Sequence, residues 1–282
     1  MDISLALSGG GAKGAAHIGV IKALLEEGIN IKNISGCSSG SIVAALYSAG
    51  YTPNEMLNFF NMYGRYIKDY DKCAVFKFLK GILFCNLKLK GIIKGNNLEN
   101  ILRKKLRYKG INNIKDFKKN IAIPSVDIRN KKLIYFTNKK IQNDDCIYIN
   151  NFDAAVAVRA SCSFPGVFYP VNALNTTLVD GGVIENTPSS ILRKIGNEKV
   201  IAICFKEKEK LPTINNFIDI LVESFETQSK EIQNIKEKDA DVLITLSIPN
   251  VSLLDVEKSS YIADRGYHLI KRNIEKIKKA IL

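Results

Sequence analysis

A serine between small residues is the first feature of this sequence that could do chemistry. Ser38 is the centre of the run G-C-S-S-G at residues 36–40, between a short apolar stretch, 31–35, and a stretch of small and apolar residues, 39–49. These stretches predict a strand and a helix, and G-x-S-x-G at such a junction is typical of a nucleophile elbow. Gly36 and Gly40 are small enough to let the strand and helix close beneath a strained serine. The pattern predicts that Ser38 is a nucleophile at a helix N-terminus, where the helix dipole favours a developing negative charge.

A glycine loop precedes this elbow by one strand and one helix. Residues 9–14 read G-G-G-A-K-G and lie between a strand predicted at 2–7 and a helix predicted at 15–27. Side chains do not obstruct the backbone N–H groups of Gly9, Gly10 and Gly11, and a parallel sheet would bring them beside the elbow, so we expect them to form an oxyanion hole. A dinucleotide site would require an acidic residue at the end of the second strand, and a P-loop would require Ser or Thr where Gly14 follows Lys13. The sequence has neither.

A third motif, Asp180-Gly181-Gly182, follows a strand predicted at 176–179. Taken alone, it fits either a catalytic aspartate at the carboxyl end of a strand or an Asp-Gly turn that bonds its own backbone. The three motifs, in this order over residues 2 to about 205, resemble the patatin-like phospholipase family, and most closely its small bacterial single-domain members.

The resemblance implies a three-layer α/β/α fold with a mostly parallel central sheet. It also implies hydrolysis of lipid acyl esters by a Ser–Asp dyad without histidine, in which Asp180 is the general base, supported by Gly181 and Gly182. Lys13 matches a basic residue that the family keeps in the glycine loop. It could attract a headgroup phosphate or could simply be solvated.

The two histidines, His17 and His268, lie in the predicted first and last helices, and we expect structural roles for both. The base is then a carboxylate. An aspartate with its ordinary pKa is a weaker base than histidine by about two and a half pH units, and partial desolvation in a lipid-filled cleft would narrow this gap. We therefore expect Asp180 to take the proton of Ser38, an acyl-enzyme to form, and water to resolve it.

Two other functions fit the same residues. In an acyltransferase an acceptor alcohol would replace water, and in a non-catalytic module the fold would serve only to bind a lipid surface. Product analysis separates the first from a hydrolase, and the presence of both proposed catalytic residues argues against the second. We expect no metal and no organic cofactor.

The chain has 282 residues and a formal net charge of +13, from 41 Lys+Arg against 28 Asp+Glu. Its lysines are spread along the chain without a nucleic-acid motif, so the charge reflects either compositional bias or attraction to an anionic membrane surface, and no nucleic-acid partner is expected. The six cysteines form no C-x-x-C pair, and no apolar run reaches the roughly 18 residues of a membrane span. We expect a cytoplasmic protein with reduced thiols that can also bind peripherally at the inner membrane surface, with an acyl-ester lipid such as a phospholipid as substrate.

The length favours one α/β domain with insertions. We expect a catalytic domain over 1–205, with a basic and apolar insertion at about 65–110, and a C-terminal α/β extension over 206–282 packed on the same domain. The insertion suits either a lipid headgroup boundary or a helix packed over the core, and the loop at 160–170 suits either an acyl-chain slot or a core seal. Further strands are predicted at 121–128, 132–137, 199–205 and 241–247, and further helices at 53–63, 96–107, 151–161, 215–230 and 259–282.

Overall fold

A computed structural model describes residues 1–66, 90–142, 145–205, 239–252 and 255–281, together with a few isolated residues between 206 and 238. Residues 67–89 of the insertion predicted at about 65–110, and most of the helix predicted at 215–230, lie outside the described residues. No helix in the described part is long and apolar enough to cross a membrane.

The described strands form one nine-stranded mixed sheet. The strands are β1 Asp2–Leu7, β2 Asn30–Gly36, β3 Asn120–Asp127, β4 Lys132–Thr137, β5 Ile147–Ile149, β6 Val171–Ala173, β7 Thr176–Asp180, β8 Lys199–Phe205 and β9 Val242–Leu246. Their order along the sheet is β5-β4-β3-β2-β1-β8-β9, and β6 and β7 form a hairpin that joins the sheet through β3. Neighbouring strands from β3 through β2, β1 and β8 to β9 are parallel, and β3 and β4 form an antiparallel hairpin.

Helices cover both faces of the sheet. Side chains of a buried strand point alternately to the two faces, so each face is apolar and packs against a layer of helices. On β1, Leu5 and Leu7 belong to the larger core and Ala6 to the smaller one, against which Ile191 and Leu192 pack. The α-helices of the described residues are α1 Ala16–Glu26, α2 Ser39–Ser48, α3 Pro53–Tyr66, α4 Asn96–Tyr108, α5 Ala154–Ser161, α6 Ser190–Ile195 and α7 Ser259–Ile281. The observed architecture is the expected three-layer fold with a mostly parallel sheet.

The last helix packs directly on the first. A Cβ built on Gly266 of α7 would lie 2.1 Å from the carbonyl oxygen of Ala16, so the two helix backbones touch there. Two lysines of the basic face of α7, Lys271 and Lys278, each place Nζ 2.7 Å from a carboxylate oxygen of Glu27 at the end of α1. These contacts close one side of the larger core, while the division of the chain into two parts at residue 205 stays a prediction.

One edge of β3 brings two strand ends together. Residues Asn120–Ala122 of β3 pair in parallel with β2, and residues Ser125–Asp127 pair antiparallel with β7, while β4 occupies the opposite edge. Because β2 and β7 run toward each other along this edge, their carboxyl ends meet. The chain segments that follow these two strands are those of the elbow and of the Asp-Gly-Gly motif.

Candidate active site

The elbow has the backbone that its sequence predicts. Ser38 lies between β2 and α2 with φ 49° and ψ −123°, a left-handed conformation that a residue with a Cβ adopts only under strain. The surrounding chain holds it there: the Cys37 N–H donates to the Leu7 carbonyl at 3.0 Å, and the Gly40 N–H donates to the Cys37 carbonyl at 2.8 Å. The Ser38 N–H donates to the hydroxyl of Ser161 at 3.1 Å.

Both glycines of the elbow are sterically required. A Cβ built on Gly36 would lie 2.3 Å from the carbonyl oxygen of Gly40, and one built on Gly40 would lie 2.6 Å from the carbonyl oxygen of Leu7. Backbone atoms at these distances cannot rotate out of the way as a flexible side chain can. The strand and helix therefore close beneath Ser38 as the spacing predicted.

The glycine loop touches the elbow and the segment that follows the Asp-Gly-Gly motif. A Cβ built on Gly9 would lie 2.5 Å from Oδ1 of Asn186 and 3.1 Å from Cβ of Ser38, and a Cβ built on Gly14 would lie 2.4 Å from Oγ of Ser39. The loop then turns through a short 3-10 segment, Gly11–Ala15, into α1. The elbow, the glycine loop and the segment after Asp180 thus meet at one place.

The N–H groups of the loop are not equivalent. The Gly9 N–H donates to both the carbonyl oxygen and Oδ1 of Asn186, each at 3.1 Å. Gly9 would have to release Asn186 before it could bind an oxyanion. Gly10 and Gly11 follow where the loop turns toward α1, with Gly11 at φ 56°.

Asp180 ends β7 directly opposite Ser125 of β3, and a Cβ built on Gly181 would lie 2.6 Å from the carbonyl oxygen of Pro124. Its carboxylate makes the Asp-Gly turn that the sequence left as one interpretation, because Oδ1 accepts a hydrogen bond from the Gly182 N–H at 2.8 Å. Oδ1 also accepts from the Cys37 thiol at 3.4 Å. Oδ2 is buried and has no hydrogen-bond partner of standard geometry within the described residues. The turn therefore uses one carboxylate oxygen and leaves the other available.

Burial raises the pKa of Asp180 to about 6, although hydrogen bonds from the Gly182 N–H, Ser38 and Cys37 and the charge of Arg159 all lower it. Burial dominates because the carboxylate is only 2% exposed. A carboxylate with this pKa is almost as strong a base as an ordinary histidine and is still mostly ionised at neutral pH.

Ser38 lies close enough to Asp180 for its hydroxyl to help lower the pKa of that carboxyl. The contact is loose, because no hydrogen bond of standard length and angle joins the Ser38 hydroxyl to Oδ2. Catalytic hydrogen bonds are often long or misaligned in unliganded enzymes and tighten when substrate binds. The structure thus brings the two residues together without locking them.

Arg159 of α5 is a buried arginine whose charge acts on Asp180. It is 2% exposed, and its guanidinium donates to Ser163 Oγ at 2.8 Å and to the carbonyl oxygens of Gly95, Lys94 and Tyr169 at 3.1, 2.7 and 2.8 Å. These bonds tie α5 to the residues immediately before α4 and to the 160–170 loop. The charge of Arg159 also lowers the pKa of Asp180.

The 160–170 loop is itself part of the core. Cys162 and Phe168 are buried in the larger core, and the N–H groups of Ile92 and Ile93 donate to the Val167 carbonyl at 2.9 and 2.8 Å. These residues seal the core, which was one of the two interpretations of this loop.

Neither histidine contacts the proposed dyad. The buried His17 places Nε2 2.8 Å from the Ser8 carbonyl, and burial lowers its pKa to about 4, so it is neutral and donates from Nε2. His268 is exposed on α7, 3.3 Å from Oδ1 of Asp264 one turn away. The structural roles expected for both histidines are those observed.

Lys13 is only 9% exposed, so its interpretation as a solvated lysine is wrong. It lies in the 3-10 segment Gly11–Ala15, within the glycine loop. A role in attracting a phosphate stays a prediction.

Three residues of the site were missed by sequence reasoning. Asn186 precedes α6, which begins at Ser190, and its side-chain oxygen accepts a hydrogen bond from the glycine loop. The sequence contains one signal for Arg159, since it is the only charged residue in an otherwise small and apolar helix. Cys37 was expected only to be a reduced thiol, and it also donates a hydrogen bond to Asp180.

Among the residues that the structure describes, no cluster of three or more His, Cys, Asp or Glu side chains is placed to hold a metal ion. Four cysteines of the described ranges, Cys37, Cys146, Cys162 and Cys204, are free thiols.

Known proteins resemble this chain in sequence and in fold. It is 29% identical over 269 residues to the uncharacterized protein YqhO of Bacillus subtilis strain 168, and the match covers 90% of each chain. It is 28% identical over 201 residues to Lysophospholipase NTE1 of Scheffersomyces stipitis, a match that covers 71% of this chain and 11% of that protein. The crystal structure of VipD from Legionella pneumophila has the same fold, with a TM-score of 0.51 and 14% identity over 97% of this chain and 67% of that one.

The family model described as Patatin-like phospholipase matches residues 5–193, which include the glycine loop, the elbow and the Asp-Gly-Gly motif. This match spans well over half of the chain. The chain therefore belongs to the patatin-like phospholipase family.

Proposed function

We propose that this protein is a lipid acyl hydrolase in which Ser38 is the nucleophile and Asp180 is the general base. Family membership supports a lipid ester hydrolase in general. The single observation that carries the finer proposal is the convergence of β2 and β7 on one edge of β3, which brings the elbow serine to a buried carboxylate with one unpartnered oxygen.

In the proposed reaction, Oδ2 of Asp180 takes the proton of the Ser38 hydroxyl while Oγ attacks the acyl carbonyl. The tetrahedral intermediate collapses, the Ser38 acyl ester forms, and Asp180 returns the proton to the departing alcohol. Water then attacks the acyl-enzyme, Asp180 again takes a proton, and the fatty acid leaves as Ser38 is restored. Because Asp180 must be ionised, kcat/KM falls as the pH drops below about 6.

The N–H groups of Gly10 and Gly11 are the proposed oxyanion donors, because the Gly9 N–H is already bonded to Asn186. Gly9 instead positions the loop, and its missing side chain lets the loop approach Ser38. The N-terminus of α2 adds a favourable dipole at the same place.

The substrate class is a phospholipid or lysophospholipid ester. The net charge of +13 favours an anionic surface, so we expect the protein to sediment with phosphatidylglycerol vesicles more than with phosphatidylcholine vesicles, and less so at high salt. Peripheral membrane binding and a cytoplasmic location stay predictions.

The test is fatty acid release from phosphatidylcholine, phosphatidylglycerol and lysophosphatidylcholine and from a short p-nitrophenyl ester. We expect Ser38→Ala and Asp180→Asn each to lose about 10³-fold or more in kcat, because each removes a group that acts in the transition state. Ser48→Ala is the matched control, since Ser48 is a buried serine at the far end of α2, the helix that follows Ser38. Turnover by folded Ser38→Ala at the wild-type rate would refute the proposed nucleophile.

Product analysis in the presence of a long-chain alcohol distinguishes hydrolysis from acyl transfer. Free fatty acid as the main product supports the hydrolase, and an ester of the added alcohol supports an acyltransferase on the same dyad. Vesicle binding without turnover by the wild type would favour the lipid-binding module.

A further inference from the structure

The two oxygens of the Asp180 carboxylate have different surroundings. Oδ1 accepts hydrogen bonds from the Gly182 N–H at 2.8 Å and the Cys37 thiol at 3.4 Å. Oδ2 is buried, and no donor of standard geometry reaches it within the described part of the chain. A free carboxylate can rotate about Cβ–Cγ and exchange its oxygens, but two donors on one oxygen oppose this rotation.

Cys37 is well placed to act as the second donor. It precedes Ser38 in the elbow, is fully buried, and its backbone is held at both ends, by its own N–H on the Leu7 carbonyl and by the Gly40 N–H on its carbonyl. Burial and the nearby Asp180 raise the pKa of the Cys37 thiol well above its usual value. The thiol therefore stays protonated and donates, instead of becoming a second negative charge beside Asp180.

We propose that Cys37 is a positioning residue of the active site: together with Gly182, its thiol holds Oδ1 of Asp180, so that Oδ2 is the oxygen that receives the proton of Ser38. The residue that comes immediately before the nucleophile thus orients the base. The catalytic meaning of this role rests on the proposed function, whereas the hydrogen bond itself does not.

Other groups around Asp180 do not replace this contact. Arg159 of α5 acts on the carboxylate through its charge, while its guanidinium donates to carbonyl oxygens and Ser163. Cys162 follows α5 and lies 3.8 Å from Ser41 Oγ, and burial raises the pKa of its thiol to about 12, so it is neutral. Ser38 helps to lower the pKa of Asp180 but makes no hydrogen bond of standard geometry to Oδ2. Because the Cys37 thiol is itself neutral, its side chain can be changed without altering a charge.

The experiment measures the pKa of Asp180 by ¹³C NMR titration of its carboxyl carbon, assigned from the resonance that Asp180→Asn loses. Cys37→Ala removes a donor to the ionised form and should raise this pKa by about 0.5, whereas Cys37→Ser supplies a stronger O–H donor and should lower it by a similar amount. The acidic limb of kcat/KM should move in the same two directions. Cys204→Ala, which deletes another buried thiol, on β8, should leave both unchanged.

Opposite shifts in the two variants support the positioning role, because a loss of packing alone would not reverse sign between alanine and serine. Equal pKa values in all three proteins, or shifts of the same sign, overturn it. The near-isosteric Cys37→Ser keeps the test available if Cys37→Ala is poorly folded. The titration needs no turnover, so an inactive wild type would count against the proposed function alone, and the order of the pKa values would still decide the role of Cys37.

Discussion

Around Ser38 the chain provides backbone and small side chains, whereas around Asp180 it provides burial, a guanidinium and polar side chains. Ser38 has a strained φ of 49°, and the glycines that flank it, Gly36 and Gly40, lie against backbone atoms. The aspartate is held by hydrogen bonds on Oδ1, and its pKa is the balance between burial and the groups that favour the ionised form. Steric contacts therefore fix the conformation of Ser38, whereas burial and charge set the pKa of Asp180.

The difference has consequences for how each side fails. A steric arrangement fails abruptly, because a single added methyl group meets backbone that cannot move aside. An electrostatic arrangement changes gradually, because each charge or donor shifts a pKa by a fraction of the total. Substitutions of the two glycines that flank Ser38 should therefore lower stability and activity together, while those of groups around the Asp180 carboxylate should shift a pH dependence.

Among the substitutions that test this contrast, Gly40→Ala is expected to lower the stability of the fold most. Its new Cβ would lie 2.6 Å from the Leu7 carbonyl oxygen and 2.7 Å from that of Ser8, so we expect a loss of about 3 kcal/mol or more of unfolding free energy and about 10²-fold or more of kcat/KM. Gly28→Ala is the control, because its Cβ would meet nothing within 4 Å and only its φ of +73° opposes the change. It should cost about 1 kcal/mol and leave kcat/KM unchanged. Wild-type activity in Gly40→Ala, measured beside urea unfolding, would contradict the steric account.

Arg159→Met should come next. It leaves the carbonyl oxygens of Lys94, Gly95 and Tyr169 without the guanidinium, so we expect about 3 kcal/mol less unfolding free energy, and loss of the positive charge should move the acidic limb of kcat/KM to higher pH. Arg159→Lys keeps the positive charge but loses the planar guanidinium and its several hydrogen bonds, so this variant should also be less stable than the wild type. Its acidic limb of kcat/KM should stay near the wild-type position. If the acidic limb of kcat/KM has the same midpoint pH in the wild type and in both variants, Arg159 acts only through its hydrogen bonds to the neighbouring segments.

Asp180→Asn should stabilise the protein at pH 8. The folded pKa of Asp180, about 6, lies above the ordinary value of 3.8, so the stabilising contribution of the protonated form is present below about pH 4 and is lost as the pH rises through about 6. The asparagine variant should therefore exceed the wild type by about 1 to 3 kcal/mol in urea unfolding at pH 8, and by much less at pH 4.

The matched control is Asp127→Asn. Burial alone would raise the pKa of Asp127, but hydrogen bonds from Thr176, Asn130 and Arg129 outweigh it, and the net pKa lies below its ordinary value. Ionised Asp127 therefore stabilises the fold above its unfolded pKa, and its amide variant should be less stable than the wild type at pH 8. The same sign for both variants would refute the contrast between the two aspartates.

The smallest effect is expected from His17→Gln. His17 is already neutral above about pH 4 and donates to the Ser8 carbonyl, a bond that the glutamine amide can replace. The acidic limb of kcat/KM, with its midpoint near pH 6, should therefore stay in place. If the limb disappears in folded His17→Gln, the histidine and not Asp180 is the titrating base.

Much of the arrangement around Ser38 could be predicted from the sequence. Glycine is required where backbone segments touch: a Cβ on Gly36 would meet Gly40 four residues along the chain, and a Cβ on Gly40 would meet Leu7 of the preceding strand–helix–strand unit. Because such a contact admits only one residue type, it appears in the sequence as a motif. The strands at 199–205 and the 132–137 hairpin partner were also predicted at the observed bounds, because buried strands are short apolar runs between turn residues. The exception is Lys13, whose burial no local pattern indicates.

The surroundings of Asp180 could be established only from the tertiary structure. The sequence contained Asp180 at a strand end, but only the antiparallel pairing of β7 with β3 aims that strand at the elbow. Which carboxylate oxygen is free depends on Cys37, and the pKa of about 6 depends on burial by segments far apart in the chain, with Arg159 opposing it. A close backbone contact dictates glycine and so leaves a pattern in the sequence, whereas burial and charge sum over every segment that packs around a group, and this sum exists only in the folded chain.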